Sequence, residues 1–103
     1  MARVIVSTVA QADTATILRD LATKAGLGVA ADYAASLEAL YDRLAAHPDS
    51  GAPRPKYGRH VRIGVVWPYV VAYRHDPNSD LVGIIRVVHG NRRITRKLLR
   101  GAS

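Results

Sequence analysis

The 103-residue chain contains no cysteine. This absence excludes disulfides, thiolate catalysis and cysteine-ligated metal sites, and it suits a reducing cytoplasm. No apolar run approaches the ~20 residues that a membrane span needs, so no membrane partner is expected. The N-terminal stretch MARVIVSTVAQAD has too short an apolar part for a secretory signal. We therefore expect a cytoplasmic protein whose chain begins with a strand.

Motifs that carry common catalytic chemistry are also missing. There is no glycine-rich phosphate loop and no Gly-x-Ser-x-Gly nucleophile elbow. None of the four histidines has a partner three or four residues away: they are His47, His60, His75 and His89. This spacing predicts no metal site, and no cofactor is expected. The acidic residues lie mostly in the predicted helices at solvated positions, which argues against a catalytic carboxylate pair.

Positive charge is abundant, and it is concentrated in the second half of the chain. Residues 1–53 carry four basic and six acidic side chains, a net formal charge of −2. Residues 54–103 carry eleven basic side chains against Asp76 and Asp80, a net charge of +9. A one-sided field of this kind favours an anionic partner, either nucleic acid or an acidic protein segment. Alternatively, the positive charge only makes the surface soluble and has no specific partner.

The first half of the chain predicts a strand followed by two helices. Residues 4–6 are apolar and β-branched, which is typical of a short strand. From Ala10 to Ala25 apolar residues recur at helical spacing, and Gly26 then suits a C-terminal cap. A second helix is expected from Gly28 to Ala46 or His47. Its apolar stripe consists of Tyr33, Leu37, Leu40, Tyr41 and Leu44.

The second half predicts a loop and three strands. Residues 47–59 hold three prolines and two glycines, which indicates a loop. Strands are expected over residues 60–66, 69–74 and 81–89, and the short turns between them favour an antiparallel meander. The fold class is therefore α+β, a single domain over residues 1–103, with the helical hairpin on one sheet face. The basic tail, about residues 91–103, is either a short amphipathic helix or a frayed end.

Cations and tyrosines of the predicted sheet are the candidates for chemistry. They are Arg62, Tyr69, Tyr73, Arg74, Arg86, His89, Arg92 and Arg93. A metal-free ribonuclease could use such groups, with arginines holding the phosphate and histidine or tyrosine moving protons. Alternatively, Tyr69 and Tyr73 pack against the helices with their hydroxyls at the rim, and Arg86 points to solvent from its strand.

The ordered set of HPDSG, YVVAYRHD and IIRVVHGNRRI resembles the RelE/ParE toxin superfamily over about residues 3–95, and within it the ParE branch. The resemblance implies the toxin of a bacterial type II toxin–antitoxin system, neutralised by a cognate, ParD-like antitoxin. ParE toxins are associated with poisoning DNA gyrase, which implies protein–protein inhibition and plasmid stabilization. RelE-type relatives instead cut mRNA in the ribosome.

Comparison within the superfamily favours the gyrase inhibitor over the nuclease. Where the ribonucleases place an arginine early in the third strand, this chain has Val70, and Gly90 replaces their C-terminal tyrosine. A nuclease would have to rely on His89, Arg86 and Tyr73, so an enzyme is the alternative interpretation. An inactive relative that acts only as a binding module is the third.

The resemblance also implies a partner-binding surface rather than a catalytic corner. Ile84, Ile85, Val87 and Val88 are expected to anchor the last strand. The expected contacts to antitoxin or gyrase are Arg62, Tyr69, Arg74, Arg86, His89, Arg92, Arg93, Arg96 and Lys97. The basic half would attract an acidic antitoxin, and exposed sheet edges suit strand addition by a partner. Nucleic acid would be contacted only indirectly, or directly in the nuclease interpretation.

Overall fold

The computed structural model describes residues 1–100, which form a five-stranded sheet, a helical hairpin and a short C-terminal helix. In chain order the elements are β1 (Arg3–Val6), α1 (Thr8–Ala25), α2 (Leu27–Ala46), β2 (Ala52–Pro53), a 3₁₀ turn (Pro55–Tyr57), β3 (Val61–Val66), β4 (Tyr69–Asp76), β5 (Leu81–His89) and α3 (Arg96–Arg100). The α+β class and the order of its main elements are confirmed.

Ser7 marks the start of the helical hairpin, and Gly26 marks the junction of its two helices. Ser7 caps α1, and its hydroxyl accepts a hydrogen bond from the Ala10 amide at 3.0 Å. The helix therefore begins at Thr8, two residues before the predicted start, because the cap satisfies its first free amides. Gly26, with φ at 101°, ends α1 and leads directly into α2. Only glycine adopts this conformation without strain, which permits a one-residue connection.

The sheet has the order β1-β5-β4-β3-β2. Strands β3, β4 and β5 form the predicted antiparallel meander. Strand β1 runs parallel to β5, with Arg3 opposite Leu81 and Val6 opposite Ile84, a pairing that sequence reasoning did not supply. It makes the sheet mixed, and it joins the two ends of the chain in neighbouring strands.

The hairpin covers one face of the sheet and forms the larger core. Leu37, Leu40 and Leu44 of α2 are buried, packing in the same cluster as sheet residues such as Tyr73 and Ile84. Gly64 of β3 lies under Leu40, where an added Cβ would come within 3.0 Å of the leucine Cδ1. The helical stripe predicted from the sequence is thus the packing surface.

The opposite face carries a second, smaller core built around the C-terminal helix. Leu99 of α3 is 2% exposed and packs in a cluster with Val61, Ala72 and Ile85. Tyr57 and Ile94 cover the margin of this cluster. Of the two alternatives for the tail, the amphipathic helix is observed over Arg96–Arg100. The last three residues of the predicted tail, 101–103, lie outside the described part of the chain.

The N-terminal turn of α1 closes the edge of β5 beyond the end of β1. The Ser7 amide donates to the Ile84 carbonyl at 3.0 Å, and the Ser7 hydroxyl donates to the Ile85 carbonyl at 2.9 Å. The Asp13 carboxylate accepts the Val87 amide at 3.1 Å. These groups occupy main-chain positions that an added strand would need, so strand addition is blocked along this stretch.

Candidate partner-binding site

A cleft of about 420 Å³ lies between α1 and the ends of β4 and β5. Its polar lining brings together Tyr69, His89 and Arg92 from the sheet side with Asp20 and Lys24 from the helix. Three of the predicted partner-binding residues therefore meet in one place. Both signs of charge are present, which suits a partner with mixed polar groups.

His89 lies at the end of β5, where its ring is held by two neighbours. The Asn91 amide lies 3.0 Å from Nδ1, and because an amide only donates, Nδ1 accepts this hydrogen bond. The neutral ring therefore carries its proton on Nε2. The ring also meets Tyr69 edge-on, with centroids 5.7 Å apart. His89 is thus oriented to donate from Nε2 toward a ligand.

Tyr69 connects the cleft to the helical hairpin. Its ring packs edge-to-face against Tyr33 of α2, with centroids 5.6 Å apart. Burial, the largest effect, raises the pKa of Tyr69, and the neighbouring Tyr33 and Asp20 raise it further. The hydroxyl therefore stays protonated at neutral pH and can donate a hydrogen bond. The packing agrees with the interpretation in which Tyr69 contacts the helices with its hydroxyl at the rim.

The prediction that the Arg86 side chain points toward a partner is wrong, because the side chain points toward Asp13 of α1. Its Nε and Nη2 donate to the two Asp13 carboxylate oxygens at 2.7 and 2.8 Å. The two side chains are only 13% and 14% exposed. The bond to Asp13 raises the pKa of Arg86, against a smaller opposing effect of burial. Arg86 therefore stabilises the junction of α1 and β5 instead of presenting its charge.

Tyr73 is likewise unavailable as a catalytic group. The residue is fully buried, and its hydroxyl donates to the Pro48 carbonyl at 2.8 Å and accepts the Gly51 amide at 2.9 Å. Burial raises its pKa, mainly through loss of solvation. Tyr73 holds the loop after α2 against the sheet, which corrects its proposed role in a nuclease. The hydroxyl is buried rather than at the rim.

Three other predicted partner-binding arginines donate to main-chain carbonyls. Arg62 donates from one nitrogen to the carbonyls of Asp49 and Gly51, at 2.9 and 2.8 Å. Arg74 reaches the Arg59 carbonyl at 2.9 Å. Arg96 reaches the Lys56 carbonyl at 2.6 Å. All three anchor the loop between α2 and β3, although Arg74 and Arg96 stay largely exposed.

The remaining predicted cations lie beyond the end of β5. Arg92 and Arg93 are exposed and line a second groove with Lys56, and Arg92 also lines the cleft beside His89. Lys97 is exposed on α3 and lines neither the cleft nor this groove. Eight of the nine predicted partner-binding residues are thus divided between the cleft, the groove and anchors of neighbouring segments, and Lys97 belongs to none of these.

Sequence reasoning missed the acidic residues that organise these cations. Asp13 and Arg86 are 73 positions apart, and nothing in either local pattern marks the pairing. His75 was not proposed as a site residue, yet it bridges Asp49 and Asp80 at 2.9 and 3.1 Å. Burial lowers the pKa of His75, but the bonds to both carboxylates raise it by more, so the net direction is upward.

The described part of the chain offers neither a metal site nor a membrane-spanning helix. Within residues 1–100, no group of three or more histidine, aspartate or glutamate side chains could hold a metal ion. Across the same residues, no helix has the length and hydropathy needed to cross a membrane.

Comparison with known proteins identifies the class to which this chain belongs. The family profile described as "ParE toxin of type II toxin-antitoxin system, parDE" matches residues 4–94. The chain therefore belongs to the ParE toxin family, and the resemblance read from its sequence is confirmed. A comparison with curated protein sequences finds no match.

Solved structures agree with this assignment of the fold. The chromosomal ParDE system from P. aeruginosa superimposes with a TM-score of 0.70 at 21% identity, covering 86% of this chain and 96% of that one. A chain of the toxin–antitoxin complex RelBE2 from Mycobacterium tuberculosis gives a TM-score of 0.61 at 25% identity, covering 85% and 96%. The molecule is a ParE-type toxin of a toxin–antitoxin system.

Proposed function

We propose that this toxin stops bacterial growth by binding DNA gyrase, and that a cognate, ParD-like antitoxin neutralises it in the cytoplasm. A stabilising role for a plasmid that carries the pair follows from the same mechanism. The match to the ParE family over residues 4–94 is the observation that carries the proposal. Inhibition is by protein–protein contact, without a catalytic step.

The state of the candidate catalytic groups supports a non-enzymatic mechanism. Arg86 is paired with Asp13, and Tyr73 is buried under the loop after α2. Nδ1 of His89 accepts the Asn91 amide, so the ring has no free lone pair in this tautomer. RNA cleavage needs a base, an acid and charge stabilisation together, and these three groups do not converge on one open point.

Trp67 supports a protein partner. It is the only tryptophan of the chain, and it is 80% exposed in the turn between β3 and β4. The turn is joined to the end of β5 by a 2.7 Å hydrogen bond from the Gly90 amide to the Pro68 carbonyl. Trp67 lies two residues before Tyr69, which lines the cleft, and tryptophan is among the residues enriched at binding hot spots.

A ribosome-dependent mRNA endonuclease is the second candidate. It is favoured by the fold shared with the RelBE2 chain and by His89 and Tyr69, which lie next to each other in the open cleft. In that mechanism either Nε2 of His89 or the Tyr69 hydroxyl would protonate the leaving oxygen, and the proton of the attacking hydroxyl would pass to solvent water. An inactive relative that only binds a partner is the third candidate.

Induced expression in a bacterial host without antitoxin separates the three candidates. Growth, DNA integrity and transcript ends are followed in one time course, and the purified protein is added to a gyrase supercoiling assay. We expect filamentation, DNA breaks and intact transcripts, together with loss of supercoiling. Transcripts cut at codon-spaced positions would establish the endonuclease instead. Normal growth at good expression would leave only the inactive binding module.

Two matched variants locate the contact with gyrase. Trp67→Ala is expected to weaken gyrase inhibition at least tenfold, because hot-spot truncations cost about 2 kcal/mol or more. Leu27→Ala, at the first residue of α2, which is 81% exposed, is the control for removal of a surface apolar group. His89→Ala should abolish transcript cleavage in the endonuclease mechanism, whereas in the gyrase mechanism it should only weaken binding. Equal toxicity of Trp67→Ala and the parent would remove Trp67 from the interface.

A further inference from the structure

The groove beyond the end of β5 is a concentration of positive charge outside the cleft. It has a volume of about 590 Å³ and lies between the 3₁₀ turn and the segment that leads into α3. Its cationic lining consists of Lys56, Arg92, Arg93 and Arg96, and none of its lining residues within the described part of the chain is acidic. This composition predicts an anionic ligand.

Three of these four cations are free to bind an anionic ligand. Among the described residues, the side chains of Lys56, Arg92 and Arg93 make no ion pair with an acidic group. Arg92 and Arg93 are exposed, and Lys56 lies over the Tyr57 ring at 5.3 Å. The three charges therefore remain available to a partner.

The fourth cation fixes the shape of the groove. Arg96 donates from Nε to the Lys56 carbonyl at 2.6 Å and from Nη2 to the Pro55 carbonyl at 3.3 Å. Leu99, one turn further along α3, is buried in the second core. The 3₁₀ turn and α3 are thus held together, so the cations on both walls keep their spacing before any ligand arrives.

The lining distinguishes between classes of anion. A protein segment usually needs an apolar centre to bind, and among residues 1–100 only Ile94 and the Tyr57 ring are apolar in this lining, both already packed against the second core. Single-stranded nucleic acid is held by bases stacked on open aromatic faces, and the Tyr57 ring packs against the second core with the Lys56 ammonium 5.3 Å from its centroid. Duplex DNA presents its phosphates outward and needs neither feature.

We propose that this groove binds the phosphate backbone of duplex DNA without sequence preference, through Lys56, Arg92 and Arg93. The inference concerns a ligand of the toxin itself and does not depend on gyrase as its target. Arg92 lies on the boundary between the groove and the cleft. A protein bound in the cleft and DNA bound in the groove would therefore be neighbours on one surface.

The test is the salt dependence of DNA binding by the full chain, measured by fluorescence anisotropy with a labelled duplex of mixed sequence at low ionic strength. Three phosphate contacts predict that log K falls with log salt at a slope of about −3. Arg92→Ala/Arg93→Ala should bring the slope to about −1 and weaken binding roughly tenfold or more at low salt. Arg3→Ala/Arg19→Ala removes the same charge from exposed positions of β1 and α1 and should leave the slope unchanged.

Several outcomes would contradict the proposal. An equal loss in both double variants would mean that net charge, and not the groove, attracts DNA. No binding by the parent chain at low salt would exclude the site. Tighter binding of single-stranded DNA, RNA or polyglutamate than of the duplex would assign the groove to another class of partner. Circular dichroism of each variant shows whether a loss of binding is a loss of fold.

Discussion

Basic side chains of the strands and basic side chains just beyond β5, which the sequence does not distinguish, have different surroundings in the molecule. Three cations of the strands, Arg62, Arg86 and His75, are engaged by carbonyls or carboxylates of other elements. Arg92 and Arg93, only a few residues beyond β5, are exposed and make no ion pair among the described residues. A charge on a strand can be covered by groups that other elements place over it, as Asp13 is placed over Arg86, and a covered charge needs a partner. A charge after the strand keeps its solvent and is free to bind a ligand.

The largest effect is expected from Arg86→Ala. The substitution leaves the Asp13 carboxylate, which is 14% exposed, without its counter-charge. Loss of one partner of a buried ion pair costs about 3–5 kcal/mol, so the free energy of unfolding should fall by that amount. Urea denaturation measures it. The double variant Asp13→Ala/Arg86→Ala should cost less than the sum of the two single changes, and strict additivity would refute the coupling.

An intermediate effect is expected from Arg62→Ala. The guanidinium donates to two carbonyls of the loop after α2, and the side chain is 27% exposed. Loss of these charged donors should lower the free energy of unfolding by about 1–2 kcal/mol. Faster proteolysis within residues 47–59 should accompany the loss, because this loop is what Arg62 holds. An unchanged cleavage rate would show that Tyr73 is sufficient to hold it.

A smaller, pH-dependent effect is expected at His75. Folding raises its pKa, so its contribution to stability is complete below the unfolded value of about 6.5 and is lost as pH rises through the folded value. The free energy of unfolding should therefore decline as pH rises from about 6.5 through the folded pKa. His75→Gln should flatten this decline, and His47→Gln, at an exposed position, should not. Salt should weaken the effect, because Asp49 and Asp80 are largely exposed.

The smallest effect is expected from Arg92→Ala. Its guanidinium is exposed, so its removal should change the free energy of unfolding by less than about 0.5 kcal/mol. The same urea titration that detects the Arg86 defect provides the comparison. A cost near that of Arg86→Ala would mean that both groups of cations serve the fold, and the distinction between them would be lost.

Most helices and strands could be predicted from the sequence, because their positions depend on local patterns of residues. The bounds of β5 are those predicted from residues 81–89, and α2 ends at Ala46, just before the turn that contains Pro48. The position of β1 was not accessible, because an apolar run does not specify which strand it will join. The same holds for Leu99: its spacing indicated a helix, but not that the helix would cover the second sheet face.

The site was predicted less completely than the fold, for a related reason. His89 and Tyr69 were identified because they are a cation and a tyrosine of predicted strands, and they do meet in the cleft. Arg86 was misjudged because its partner, Asp13, lies on a helix 73 residues earlier. Alternation along a strand predicts which side chains leave the core, but it does not predict what another element places over them.

The parallel pairing of β1 with β5 has a consequence for the synthesis of this toxin. A ribosome completes β1 and both long helices before it reaches Leu81. Strand β1 therefore remains unpaired until β5, its partner in the sheet, has been translated. Ser7 and Asp13 also lack their partners on β5 until then. Contacts this distant along the chain form slowly. A nascent or truncated product therefore lacks the assembled cleft, and toxicity is expected only from chains that have been translated through the final strand.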